Sequence, residues 1–193
     1  MTLHRGNLFL IGLMGAGKST LGRSLARRLG KRFVDADHEL EVRTGVGIPT
    51  IFEVEGEPGF RDREEALCAE LAALSGVVLA TGGGVVLREA SRRRLREGGS
   101  VLYLHAPPEV LWQRLRGSRH RPLLQTSDPR ARLADLYALR DPLYREVAHH
   151  VVESEREGVM RFVGWLDAQA DEVPQHSELP AHTNAIADRE SHS

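Results

Sequence analysis

Short apolar runs alternate with stretches of helical period along most of the chain. Residues 7–12, NLFLIG, read as a short buried strand. KSTLGRSLARRLG follows, with Leu21, Leu25 and Leu29 at spacing four and Gly30 to close it, an amphipathic helix. RFVDA predicts a second strand and HELEVRTG the start of another helix. Pro49 is placed to open the next one, with Ile51, Phe52 and Val54 as its apolar side. EPGFRDREEALCAELAAL reads as a long helix. GVVLA, residues 76–80, is a continuous β-branched run, as a parallel strand covered on both faces would be. Past TGGG come a helix in LREASRRRLREGG, a fourth strand in SVLYLHA and a proline-led helix in PPEVLWQRLRG. SRHRPLLQTS reads as a loop. DPRARLADLYALRDPLYREVA predicts a helix with a break at Pro142, HHVVE a fifth strand and GVMRFVGWLDAQ a last helix.

This alternation predicts an α/β domain over residues 1–170, a five-stranded parallel sheet with helices on both faces. From residue 171 the period fails, and the polar stretch 171–193 with its two prolines is expected to be disordered. The two histidines near its end, His182 and His192, read as scattered side chains rather than metal ligands. A length of 193 residues suits one domain, and an apolar fraction of 41% fills a core. A net charge of −1 offers no broad basic field, so no nucleic-acid partner is expected. One cysteine, Cys68, permits no internal disulfide and sits in the apolar pattern of a helix, a core position. No run is long and apolar enough for a membrane span, and the N-terminus enters a glycine loop too soon for a signal peptide. A cytoplasmic protein is expected.

The most informative stretch is GLMGAGKST. Gly12, Gly17, Lys18 and Ser19 match the phosphate-loop spacing G-x-x-x-x-G-K-[ST], between a strand and a helix as that motif requires. The backbone of such a loop, here including Gly15, Ala16 and Gly17 and running on to Thr20, turns N–H groups onto phosphate. Lys18 brings a cation to the β and γ phosphates, and Ser19 offers a hydroxyl to Mg²⁺. ATP and Mg²⁺ are therefore expected.

FVDADHELE places Asp35 and Asp37 two apart at the end of a strand, where both would share one face beside the phosphate loop. Two acids tolerate that proximity when a cation and an acceptor hydroxyl share their space. One serves the metal, mostly through water, and the other accepts a proton. As a bland alternative, Asp37 caps the following helix. Arg61 and Arg140 together suit a bidentate grip on a carboxylate. The glycines of TGGG allow close backbone approach to a small ligand. RHRPLLQ is placed to act as a closing loop, with Arg121 over the transferring charge.

These pieces together resemble the shikimate kinase family. The matching stretches are IGLMGAGKST, FVDADHELE, TIFEVEGEPGFRDREE, LATGGG, RHRPLL and LRDPLYREVA, in the family's order from about residue 7 to 153. The resemblance implies a three-layer P-loop kinase fold with a mobile lid over about residues 115–127 and a substrate-binding helical region over about 35–64. It implies MgATP-dependent phosphorylation of the 3-hydroxyl of shikimate by a monomer. Carried over by position, Lys18 looks like the phosphate lysine, Ser19 and Asp35 like the Mg²⁺ site and Asp37 like the base that holds the shikimate hydroxyls. Arg61, Arg140 and the backbone of Gly83 look like the grip on shikimate, with Glu64 orienting Arg61. Arg121 resembles a lid arginine, Arg114 an arginine stacked near adenine and Arg156 a further nucleotide contact.

Other readings compete. The phosphate loop alone also fits a nucleoside monophosphate kinase, and the arginines fit a kinase of the gluconate type. The DxD and FRxxE combination argues against the latter, and the triple glycine favours a polyhydroxylated acceptor. A non-catalytic binding module that kept the fold is the reading from another class; such a protein tends to lose the lysine, acids or lid arginine, and all are present here.

Overall fold

The computed structural model describes residues 6–117 and 121–171, with side chains to 168. The expected tail from 172 onward, with His182 and His192, lies outside the described residues, as do residues 118–120 of the expected lid. Five strands form one parallel sheet in the order β2-β3-β1-β4-β5: β1 (Asn7–Ile11), β2 (Arg32–Asp35), β3 (Val77–Ala80), β4 (Gly99–His105) and β5 (His150–Glu153). Every residue of β1 and β3 is buried, whereas β2 and β5 at the edges bury only part of their length. The continuous apolar runs thus belong to the central strands, covered on both faces by helices.

The helices are α1 (Lys18–Leu29), α2 (Ala36–Thr44), α3 (Ile48–Ala72), α4 (Glu89–Gly98), α5 (Pro108–Leu115), α6 (Pro129–Val147) and α7 (Arg156–Asp171). After β1 the chain crosses towards β2, and after β3 it crosses back to β4. Adjacent strands β1 and β3 therefore leave in opposite directions, and the crevice at their carboxyl ends is the switch point where such sheets take ligands. The phosphate loop follows β1 and the TGGG stretch follows β3.

Five local expectations change. The helix after β2 starts at Ala36, so Asp35 and Asp37 do not share a strand face. Asp35 rather than Asp37 is the cap: its Oδ1 accepts from the amides of Asp37 at 3.1 Å and His38 at 3.3 Å. Pro142 does not break α6, which runs on through it to Val147; Leu136, Arg140, Tyr144 and Val147 are buried on both sides of the proline, so packing holds the two halves in line. Of the expected apolar side of the next helix, Ile51 is buried and Phe52 half-buried, but Val54 is 75% exposed, two residues before α3 kinks at Gly56. The RHRPLLQ stretch contains a turn of 3₁₀ helix at Pro122–Leu124. Cys68 is buried as expected, and burial pushes its thiol up to about 11.

Candidate functional site

Gly17 caps α1 in the left-handed conformation, φ 97°, which only glycine adopts without strain. No side chain caps the helix there, so its first amides stay available to an anion. Lys18 folds back over the loop, its Nζ donating to the carbonyls of Gly12 at 2.8 Å and Leu13 at 3.1 Å. Its pKa is lowered to about 8, chiefly by burial, with the charge of Asp37 acting the other way. Asp37 is pushed up, again chiefly by burial, while Lys18 pulls it down. Ser19 Oγ donates to Asp35 Oδ2 at 2.5 Å, which brings the loop hydroxyl against the end of β2.

A cleft of about 560 Å³ opens beside these groups. Ser19, Asp35, Asp37, Arg61, Arg121 and Arg140 all line it, and Gly83 forms part of its floor. Thus residues from α1, α2, α3, α6 and the stretch before the 3₁₀ turn meet at the switch point. Arg61 is 7% exposed and is held from both sides. Its Nη1 donates to Glu64 Oε2 at 2.6 Å, and its Nε and Nη2 donate to Glu57 Oε1 at 3.2 and 2.8 Å. Burial acts against its charge, but Glu64 and Glu57 outweigh it and raise its pKa. The partnership with Glu64, three residues on along the helix, is the one the family resemblance implied. Arg140 is 1% exposed, and burial lowers its pKa. Its Nη1 donates to the carbonyl of Gly83 at 3.1 Å.

The glycine triplet serves these charges. A Cβ on Gly82 would lie 2.2 Å from Glu64 Oε1 and 2.9 Å from Asp37 Oδ1, and one on Gly84 would lie 1.8 Å from Arg61 Nη1. Neither glycine has a positive φ, so space rather than backbone freedom requires them. Sequence reasoning expected the close approach to be made by a ligand; side chains make it at Gly82 and Gly84. It also missed the apolar wall of the cleft, formed by Met14, Ile48, Phe52, Phe60 and Leu123. The rings of Phe52 and Phe60 lie 4.6 Å apart, joined across the kink at Gly56. An aromatic residue on either side of GEPG was the only available signal.

On the other side of the loop lies a second cavity of about 670 Å³. Gly15, Ala16, Gly17, Thr20 and Arg114 line it. Arg114 Nη1 donates to the carbonyl of Gly15 at 3.2 Å and to Ser154 Oγ at 2.9 Å, tying α5 to both the loop and the residue after β5. Arg156 is exposed at the start of α7 and is not among the residues lining either cavity.

A phosphate loop facing paired arginines and an acid narrows the family, and comparison with known proteins decides it. The family model for shikimate kinase matches residues 14–173. The chain belongs to the shikimate kinase family. A shikimate kinase of Thiobacillus denitrificans is 59% identical over 155 residues, 80% of this chain and 85% of that one. Another from Ralstonia nicotianae is 56% identical over 165 residues, 86% of this chain and 87% of the relative. Among solved structures, a shikimate kinase from Acinetobacter baumannii in complex with shikimate superposes with a TM-score of 0.81 at 44% identity, over 88% of this chain and 96% of that one. The α/β P-loop kinase fold of the shikimate kinases is thus shared across the domain. Among the described residues, no helix is long and apolar enough to cross a membrane.

Proposed function

We propose that the protein transfers the γ-phosphoryl group of MgATP to the 3-hydroxyl of shikimate, and that it works as a cytoplasmic monomer. One observation carries the choice of acceptor: two buried arginines, Arg61 and Arg140, share a single cleft with Asp37 beside the phosphate loop. A carboxylated, polyhydroxylated ring answers that arrangement, with its carboxylate on the guanidinium groups and a hydroxyl on Asp37. The apolar wall of Ile48, Phe52 and Phe60 suits the carbon face of such a ring. The relative from Acinetobacter baumannii, which holds shikimate, supports the same choice.

Ser19 and Asp35 suit Mg²⁺, because a hydroxyl and a carboxylate, both hard oxygen donors, already converge at the loop. The ion would be held by Ser19 directly and by Asp35 mostly through water, and it supplies neutralisation of charge on the β and γ oxygens. The chain's own residues do the rest. Lys18 exchanges the carbonyls of Gly12 and Leu13 for phosphate oxygens. Asp37, whose pKa burial raises while Lys18 pulls it down, takes the hydroxyl proton in its ionised form. The acceptor oxygen bonds to phosphorus as the bond from phosphorus to the β–γ bridging oxygen breaks, and ADP leaves. Arg121, whose charge acts on both Lys18 and Asp37, covers the equatorial oxygens. Gly15, Ala16, Gly17, Thr20 and Arg114, which line the second cavity, would contact the nucleotide with the adenine on that side; Arg156, outside both cavities, would reach it only from the rim.

The test is acceptor-dependent ADP release from MgATP, with shikimate, gluconate and nucleoside monophosphates run in parallel. Turnover on shikimate alone is expected. Turnover on another acceptor instead, or on none from a folded protein that binds ATP, would overturn the assignment.

A further inference from the structure

Tyr144 plays no part in the assignments above, yet it is fully buried and sits one helical turn beyond Arg140 on the same face of α6. Both side chains reach one atom. Arg140 Nη1 donates to the carbonyl of Gly83 at 3.1 Å, and the Tyr144 hydroxyl donates to the same carbonyl. Behind the phenol, its ring is stacked on Tyr103, with centroids 4.9 Å apart and planes inclined by 28°. Tyr103 is anchored in turn, its hydroxyl donating to Asp141 Oδ1 at 2.9 Å while Asp141 Oδ2 accepts from Arg145 Nε at 2.8 Å. Tyr144 therefore has little freedom to swing away from Gly83.

The Gly83 carbonyl offers two lone pairs, and these two donors use them. Because the peptide is trans, fixing that carbonyl also fixes the amide of Gly84 on the opposite edge of the same plane. Both glycines line the acceptor cleft. Arg140 gains no hold through its Nε, which is buried without a hydrogen-bond partner. Its orientation therefore depends on the Gly83 carbonyl and on the Tyr144 hydroxyl, which lies within hydrogen-bonding reach of the guanidinium.

We infer that Tyr144 is a positioning residue for the acceptor: by sharing the Gly83 carbonyl it leaves the remaining donors of Arg140 free for a bound carboxylate. Without the hydroxyl, half of a part-buried carbonyl's hydrogen-bonding capacity is unmet. Arg140 is the nearest cation and turns a second N–H onto it. The inference rests on the acceptor proposed above, so wild-type turnover on shikimate is read first; its absence would count against that reading and not against the geometry of Tyr144.

The variant is Tyr144→Phe, which keeps the stack on Tyr103 and removes one oxygen. The shikimate KM should rise about five- to tenfold, the worth of one hydrogen bond to a buried group. The ATP KM and the kcat at saturating shikimate should stay within about twofold of wild type, and in an Arg140→Lys background the same change should add less than about twofold. A lowered melting temperature with the shikimate KM unmoved would overturn the inference, as would parallel shifts of both KM values or an equal effect in both backgrounds. If Tyr144→Phe folds poorly, Tyr103→Leu, which removes the stack and lets the phenol tilt, must raise the shikimate KM by itself; an unchanged value there sinks the proposal.

Discussion

The two cavities beside the phosphate loop are built on different principles. The cleft at the switch point is walled by charges that are wholly or partly buried and balanced against one another: Arg61 with Glu64 and Glu57, Asp37 with Lys18, and Arg140 on a backbone carbonyl. The cavity towards α7 is walled by loop backbone, by small and apolar side chains, and at its rim by an Arg28–Asp167 ion pair whose side chains are 48% and 46% exposed. Removing one member of a buried set strands the other in a poor solvent, whereas water takes the place of a lost partner at the rim. The acceptor side should therefore be fragile and specific, and the α7 side tolerant.

The largest effect expected is that of Asp37→Asn. It should lower kcat by about 10²-fold or more, the worth of a positioned base. The melting temperature should hold near wild type. In the parent enzyme the base works ionised, so activity falls as pH drops through the pKa of Asp37. Burial raises that pKa, so the acidic limb should lie above the range of an ordinary carboxylate, and the Asn variant should lack it. Wild-type turnover in Asp37→Asn would remove the proton-accepting role.

Arg61→Ala comes next. It leaves Glu64, 7% exposed and with Oε1 already unpartnered, as an isolated buried acid. A loss of about 3 kcal/mol is expected from chemical denaturation, with a large rise in shikimate KM. Stability close to wild type would mean that Glu64 takes up a proton at little cost.

Gly84→Ala is a smaller and more local blow. Its Cβ would meet the guanidinium of Arg61 at 1.8 Å, so the arginine must shift. The expected result is a several-fold higher shikimate KM with the ATP KM unchanged, read from initial rates; an equal rise in both would mean that the loop, not the arginine, has moved. Smallest of all, Arg28→Ala at the rim of the other cavity should leave the midpoint of a thermal melt close to that of wild type. A clear drop there would break the contrast between the two sides.

Much of the fold was legible from local pattern. All five strands and the order of helices follow from apolar runs and turn residues, and the Arg61–Glu64 pair follows from the family resemblance. The misreadings share a cause. Asp35 and Asp37 looked like neighbours on one strand face, but the Asp35 carboxylate caps α2 and turns the chain into helix two residues earlier. Pro142 looked like a break, but Arg140 and Tyr144 flank it and both bind Gly83, so tertiary contacts hold the helix through it. Phe52 and Phe60 looked like parts of separate helices, and only the kink at Gly56 brings their rings together.

By itself, the sequence determined what depends on neighbours along the chain: the phosphate loop with its lysine and serine, the parallel α/β alternation, and the family through motifs in a set order. Tertiary structure alone decided what depends on elements far apart in the chain. The strand order sends the connections after β1 and β3 in opposite directions and opens the cleft at the carboxyl ends of those paired strands. It brings Arg61 of α3 and Arg140 of α6 into that cleft, gives Gly82 and Gly84 their reason for lacking side chains, and sets Tyr144 against the carbonyl of Gly83. Periodicity tells which face of an element is buried, but only the packing of strands and crossovers tells what that face meets.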